Sequence, residues 1–136
     1  MREDIADNLI ETLEGLTSPV VAHVTRQSFD PSELSNAQFP AIMVTTSGEE
    51  LIIESYGDVL ETIRINYALE VYVKGDKLDT SRNEIIDAVR DKLYQDRHRG
   101  GFAIDTKINS VEIDDGSIAP IGGVLLNVAV TYNYGA

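Results

Sequence analysis

Residues 59–74, Val-Leu-Glu-Thr-Ile-Arg-Ile-Asn-Tyr-Ala-Leu-Glu-Val-Tyr-Val-Lys, alternate apolar and polar side chains almost without a break. Neighbours on a strand point to opposite faces, so the run predicts a strand with one buried side. At ~3.3 Å per residue it would span roughly 50 Å. A compact domain of this length is about 35–40 Å across. Part of the strand is therefore expected to project beyond the body. Glu49 to Ser55 predicts a second strand, and Tyr56-Gly57-Asp58 the turn that joins the two. The product is a β-hairpin arm. Its first leg holds Leu51, Ile52 and Ile53 in succession, which makes both faces of the arm apolar at that level. A lone hairpin cannot cover both, and a second copy of the chain is the simplest cover. Leu51, Ile52, Ile53, Tyr56 and Leu60 are thus expected at a subunit interface.

The 136 residues predict one domain, 1–136, that buries about two-thirds of the surface its unfolded chain exposes. The absence of Cys excludes disulfides and Cys-based zinc sites and is compatible with a cytosolic origin. The first residues lack the basic region and apolar run of a signal peptide. No apolar stretch approaches the ~20 residues of a membrane-spanning helix, so a membrane is not an expected partner. The net charge is −12, with 23 acidic residues against 11 basic ones. Proteins that bind duplexes gather Lys and Arg to neutralise phosphates, and this balance argues against nucleic acid as a ligand. Acidity either keeps the chain soluble or lets its surface lie near DNA without sticking.

Ile5, Leu9, Leu13 and Leu16 share one face at helical spacing and predict a first helix over 3–15. A short strand follows at 20–24. The loop 26–39 is long for a compact domain and carries Phe29, Leu34 and Phe39, three residues expected to contact a neighbour. A strand is expected at 41–46, with Ser47-Gly48 as the turn or bulge into the arm. Ser81 and Glu84 match a capping box, so the second helix is expected from Ser81 to Arg97, with Ile85, Ile86, Val89 and Leu93 buried. Strands at 106–113 and 124–134 complete the chain. The fold class is α+β: a mixed, mainly antiparallel β-sheet sandwich flanked by two helices, with the projecting hairpin arm.

Signatures of chemistry are scarce. His23 and His98 lie in different elements without His or Cys partners. No metalloprotease, nucleophile-elbow, P-loop or dinucleotide motif is present. Asp114-Asp115-Gly116 lacks the alternating oxygens of a calcium loop and predicts a type I turn. Glu49, Glu50, Glu54, Asp58 and Glu61 cluster on the arm, as an acidic rim would around an apolar patch. Neither an enzyme nor a bound cofactor or metal is expected. Arg90, Lys92, Arg97 and Arg99 run against the acidic background. They either complement a helix C-terminus or form a contact patch for a neighbour's acidic arm.

The order of these features resembles one protein family. A helix, a strand and a long loop lead into Phe39-Pro40-Ala41-Ile42-Met43-Val44. A hairpin, a long strand with Arg64 near its start, and the helix around Ile85-Ile86-Asp87-Ala88-Val89 follow. The chain closes with Asp-Asp-Gly, a Pro-x-Gly turn and a strand ending in Tyr. This is similar to the tail terminator, or tail completion, proteins of long-tailed bacteriophages, the gpU-like group, over nearly the whole chain. The resemblance implies a structural virion protein that forms a hexameric ring at the head-proximal end of the tail. Such a ring caps the tube, stops its polymerisation and joins tail to head. The implied partners are further copies of the chain, the tail tube protein, the neck or head connector and, in contractile tails, the sheath. Genomic DNA passes through without specific binding. The implied locations are the host cytoplasm during assembly and then the virion. Alternatives are another tail or neck component, such as a tube subunit or a head-closure protein, or a small ligand-binding regulatory α+β domain.

Overall fold

The long strand forms, and the rest of the molecule is arranged around it. The structure is a computed structural model that describes residues 1–54 and 61–135. Seven principal elements follow in order: α1 (Arg2–Glu14), β1 (His23–Thr25), β2 (Ala41–Glu54), β3 (Glu61–Lys74), α2 (Leu78–Tyr94), β4 (Asp105–Ile113) and β5 (Ile121–Tyr134). The strands make one sheet in the order β1-β2-β3-β5-β4. β1 runs parallel to β2, and every other pair is antiparallel. The class is α+β, with the helices packed on one side of the mixed sheet.

Alternation along β3 decides which side is covered. Ile63, Ile65, Tyr67, Leu69, Val71 and Val73 are buried, and the residues between them are half-exposed. β5 repeats the pattern with Val124, Leu126, Val128, Val130 and Tyr132. Against these lie Ile5, Leu9 and Leu13 of α1 and Ile85, Val89 and Leu93 of α2, in one continuous core. The opposite face carries small and polar side chains, among them Thr45, Thr62, Asn66, Ala68, Asn127 and Thr131. Burial inside the helix layer pushes the Tyr67 hydroxyl up to about 12. Leu93→Ala and Val128→Ala should each cost roughly 1–4 kcal/mol of stability, since both side chains lie wholly within the core. Denaturant titration reads this, and a change near zero at either site would contradict the packing described.

Four sequence expectations need correction. The segments 41–46 and 49–55 are one strand, not two. A bulge between Thr46 and Gly48 absorbs the irregularity, and Gly48 takes a φ of 152° that side-chain-bearing residues rarely adopt. α2 starts at Leu78 and ends at Tyr94, so it is shifted toward the N-terminus and Ser81 is no cap. Ser81 N–H instead donates to the Lys77 carbonyl, because Leu78 adds an apolar side chain to the buried stripe and draws an extra turn into the helix. At the other end, the Asp96 carboxylate accepts from the backbone N–H groups of His98 and Gly100 and closes a turn. β5 starts at Ile121, three residues before the expected 124, so Gly122 and Gly123 lie inside the strand.

The hairpin β2–β3 has a third companion. β5 pairs with β3 along its whole length, from Lys74↔Ile121 to Glu61↔Tyr134. From Leu51 outward the sheet thus narrows to three strands. The expected turn at Tyr56-Gly57-Asp58 lies outside the described residues.

Candidate assembly interface

Pairing register brings the end of the sheet into one frame. Glu50, Arg64, Thr131 and Asp105 form a transverse row across β2, β3, β5 and β4. One step outward, Leu51 pairs with Ile63, and Ile63 with Tyr132. Ile104 sits beside this row, its N–H donating to Thr131 O at 2.7 Å. Ile63 and Tyr132 are buried, but the flanks are not. Leu51, Ile52 and Ile53 are 53%, 40% and 59% exposed, and Tyr134 and Ile104 are 55% and 45% exposed. A bulge between Leu51 and Ile53 sends these two to different faces: Leu51 opposite Ile63 on the helix side, Ile53 opposite Thr62 on the open side. Uncovered aliphatic side chains concentrated at one end of a sheet are the usual mark of a contact surface.

The rim of this patch is acidic and braced. The Arg2 guanidinium donates to Glu49. Glu50 lies 3.7 Å from Arg64 and accepts from Asn66 Nδ2 at 3.0 Å. These exposed pairs contribute little to stability, but they fix where the carboxylates stand.

The other residues singled out in the sequence lie elsewhere. Tyr56 and Leu60 fall outside the described residues. Phe29 is half-buried on its own sheet, 5.6 Å from the His23 ring and 5.7 Å from Tyr72. Leu34 is half-buried between two short 3₁₀ turns, Pro31–Glu33 and Asn36–Gln38. Phe39 is half-buried under the Lys74 ammonium, which lies 5.5 Å from the ring centroid. The loop thus applies its two phenylalanines to its own body, at the end of the sheet away from Leu51.

The four cations expected to form a contact patch do not make one surface. The Arg99 guanidinium is fully buried and donates to the Leu93 and Asp96 carbonyls and, at 3.4 Å, to Thr12 Oγ1. It ties α1 to the end of α2 and is closed to a partner. Burial also lowers its pKa. Arg97 donates to Asp105 at 2.7 Å and stacks 4.4 Å above the Tyr94 ring. That hydrogen bond holds the Asp105 carboxyl below the usual carboxylate range. Arg90 and Lys92 are half-buried on α2.

Two features escaped the sequence reading. Arg82 of α2 is buried and donates to Asp114 at 2.6 Å. Asp114 also accepts from the N–H groups of Gly116 and Gly123. A Cβ at Gly122 would lie 3.0 Å from Arg82 Nε, and one at Gly123 would lie 3.1 Å from Asp114 Oδ2. The paired glycines therefore leave space for the ion pair, which fastens the β4–β5 connection to α2. The second feature is a hollow of about 480 Å³ at the Lys74 end of the sheet, lined by Pro19, Phe39, Pro40, Val73, Ile85 and Pro120 on its apolar side and by Asn36, Lys74, Asp76, Ser81 and Glu84 on its polar side.

Among the described residues no cluster of metal-ligating side chains converges. No described helix is long and apolar enough to cross a membrane.

Comparison with protein-family models yields no match, and comparison with curated protein sequences yields none either. Solved structures do match. One chain from the virion of a native gene transfer agent particle superposes with a TM-score of 0.55 at 9% identity, over 98% of this chain and 95% of that one. At that identity the likeness is one of fold, and it extends over both chains nearly end to end.

Proposed function

We propose that this protein is a structural component of a virion, and specifically a tail terminator. In this role copies of the chain close into a hexameric ring that caps the tail tube and joins it to the head. The observation that carries the reading is the exposed apolar end of the sheet, Leu51 to Ile53 with Tyr134 and Ile104, on a chain that presents no clustered chemistry among its described residues. An end-to-end fold likeness to a chain of a gene transfer agent virion supports the coarser part of the proposal. The finer part rests on the order of elements shared with tail terminators. Those elements are the helix, the long loop, the hairpin, the long strand and the closing helix and strands.

A ring needs heterologous contacts that close, and the two ends of this sheet differ in the way such contacts require. One end carries Leu51, Ile52 and Ile53 with carboxylates around them, and the other carries the hollow with Ile113 and Ile118 exposed near it. A ring also encircles DNA. The open face of the sheet carries Glu50, Glu70 and Glu112 with Arg64 and Lys107, and the whole chain carries −12. Such a surface lets a polyanion pass without capture.

The protein should leave duplex DNA unshifted in a gel at micromolar concentration and about 0.15 M salt, where screening is already short-ranged. Retention of the DNA would contradict a passive channel. Position in the particle tests the terminator role. Antibody-gold labelling of intact virions should place one cluster of label at the head–tail junction. Label along the tail would instead indicate a tube subunit.

A further inference from the structure

We propose that Asp115–Gly116 is a site of spontaneous aspartate isomerisation that the Asp114 carboxylate holds in check; the inference stands whether or not the chain forms a ring. Every other aspartate in the chain precedes a residue with a Cβ. Asp115 precedes glycine, in the exposed connection between β4 and β5. In the reaction the Gly116 backbone nitrogen attacks Cγ of Asp115. A new C–N bond forms, the carboxyl hydroxyl departs with the amide proton as water, and a succinimide ring closes. Water then opens the ring at either carbonyl and gives back aspartate or gives isoaspartate, so no oxidant or further reactant is needed. Glycine, which has no side chain, obstructs this attack least.

The connection occupies both reacting groups. Gly116 N–H donates to Asp114 Oδ1 at 2.9 Å, so the nucleophile's proton rests on a carboxylate. Hydrogen bonds to charged groups are the stronger ones, and giving this one up before attack slows the step about tenfold or more. Gly116 O accepts from Ala119 N–H at 3.1 Å, which holds the residue on its other side. Asp115 Oδ1 accepts from Ser117 N–H at 2.9 Å, so the electrophile is tied down as well. The Ser117 side chain and N–H together hold the Asp115 carboxyl below the usual carboxylate range. The neutral acid, whose hydroxyl must leave, is correspondingly scarce.

Asp114 can act as the guard because it is itself fixed. Its Oδ1 accepts from the buried Arg82 at 2.6 Å, and its Oδ2 accepts from Gly123 N–H. One carboxylate thus fastens the connection to α2 and covers the amide that would attack. Isoaspartate adds a methylene to the main chain at residue 115, which would carry Gly116 out of register with Asp114.

Wild type, Asp114→Ala, Asp114→Asn and a synthetic peptide of residues 111–119 are incubated side by side at physiological temperature and pH. Isoaspartyl methyltransferase with a labelled methyl donor counts the isoaspartate, and peptide mapping assigns it to residue 115. Wild type should isomerise at least about tenfold more slowly than the peptide, and Asp114→Ala at least about tenfold faster than wild type. Asp114→Asn keeps an oxygen that accepts from Gly116 N–H, so its rate should stay near that of wild type. Wild type as fast as the peptide would overturn the proposal without any variant. A folded Asp114→Ala variant no faster than wild type would overturn it too, and a slower one would make Asp114 a general base instead of a guard. Asp114→Asn as fast as Asp114→Ala would assign the protection to the Arg82 ion pair and not to the held N–H. If Asp114→Ala does not fold, the rates of wild type and Asp114→Asn against the peptide decide the matter.

Discussion

Ile53→Glu should leave the monomer as stable as wild type and abolish ring formation. Ile53 is mostly exposed in the single chain and lies opposite Thr62 on the open side of the sheet. A charge there meets water in the monomer, and exposed substitutions of this kind stay within about 0.5 kcal/mol. In an assembled ring the same position would be covered. Burying an unpaired carboxylate costs several kcal/mol, and each 1.4 kcal/mol is about tenfold in affinity, so association should weaken at least about 100-fold. Circular dichroism with denaturant titration measures the first half of the expectation, and solution mass the second. A variant that assembles normally would show that this end of the sheet is not an interface. A variant that unfolds would show that Ile53 serves the monomer core.

Asp114→Ala should produce the largest loss of monomer stability among surface-loop substitutions. It leaves the Arg82 guanidinium buried without its carboxylate and frees the N–H groups of Gly116 and Gly123. Removing one partner of a buried ion pair typically costs about 3–5 kcal/mol, and with Asp114 still 21% exposed the loss should fall at the lower end of that range. For a domain of this size that lowers Tm by roughly 10–20 °C. Arg82→Leu on the Asp114→Ala background should recover part of the loss, since the stranded charge is then gone and the stem of the side chain is replaced by an apolar one. Equal stability of the Asp114→Ala variant and wild type would mean that the pair is not formed in solution. A double variant no better than the single would place the loss in the backbone turn instead of the charge.

Periodicity made the central strands and the two helices legible. The odd-numbered residues from Ile63 to Val73 and the even-numbered ones from Val124 to Tyr132 are buried as their alternation demands. The stripe Ile5, Leu9, Leu13 is buried as helical spacing demands. Features set by tertiary contact were not legible. Ser81 and Glu84 satisfy a local capping pattern, yet Leu78 finds core to bury against, and its burial overrides the cap. Ser47-Gly48 has the composition of a turn, but the β3 partner on one side holds the strand together through a bulge. Arg82 and Arg99 sit at positions where a charged residue normally faces water. Only the carbonyls and the carboxylate that happen to meet them make their burial tolerable. At the candidate interface, three consecutive aliphatic residues flagged Leu51 to Ile53 directly. Tyr134 and Ile104 join them through cross-strand register, which a single sequence does not display. Phe29 and Phe39 are aromatic residues in a long loop, a pattern that suggests contact with a neighbour. Their rings pack against His23, Tyr72 and Lys74 of the same chain.

A closed ring has one fixed mass, and solution mass across concentration reads it. Sedimentation velocity of the purified protein, paired with negative-stain imaging, should show exchange between the 14.9 kDa chain and one discrete larger species. That species should have the mass of about six chains, with no further growth as concentration rises, and should image as rings with a central hole. A monomer at every concentration, or filaments that lengthen without limit, would rule out a closed ring.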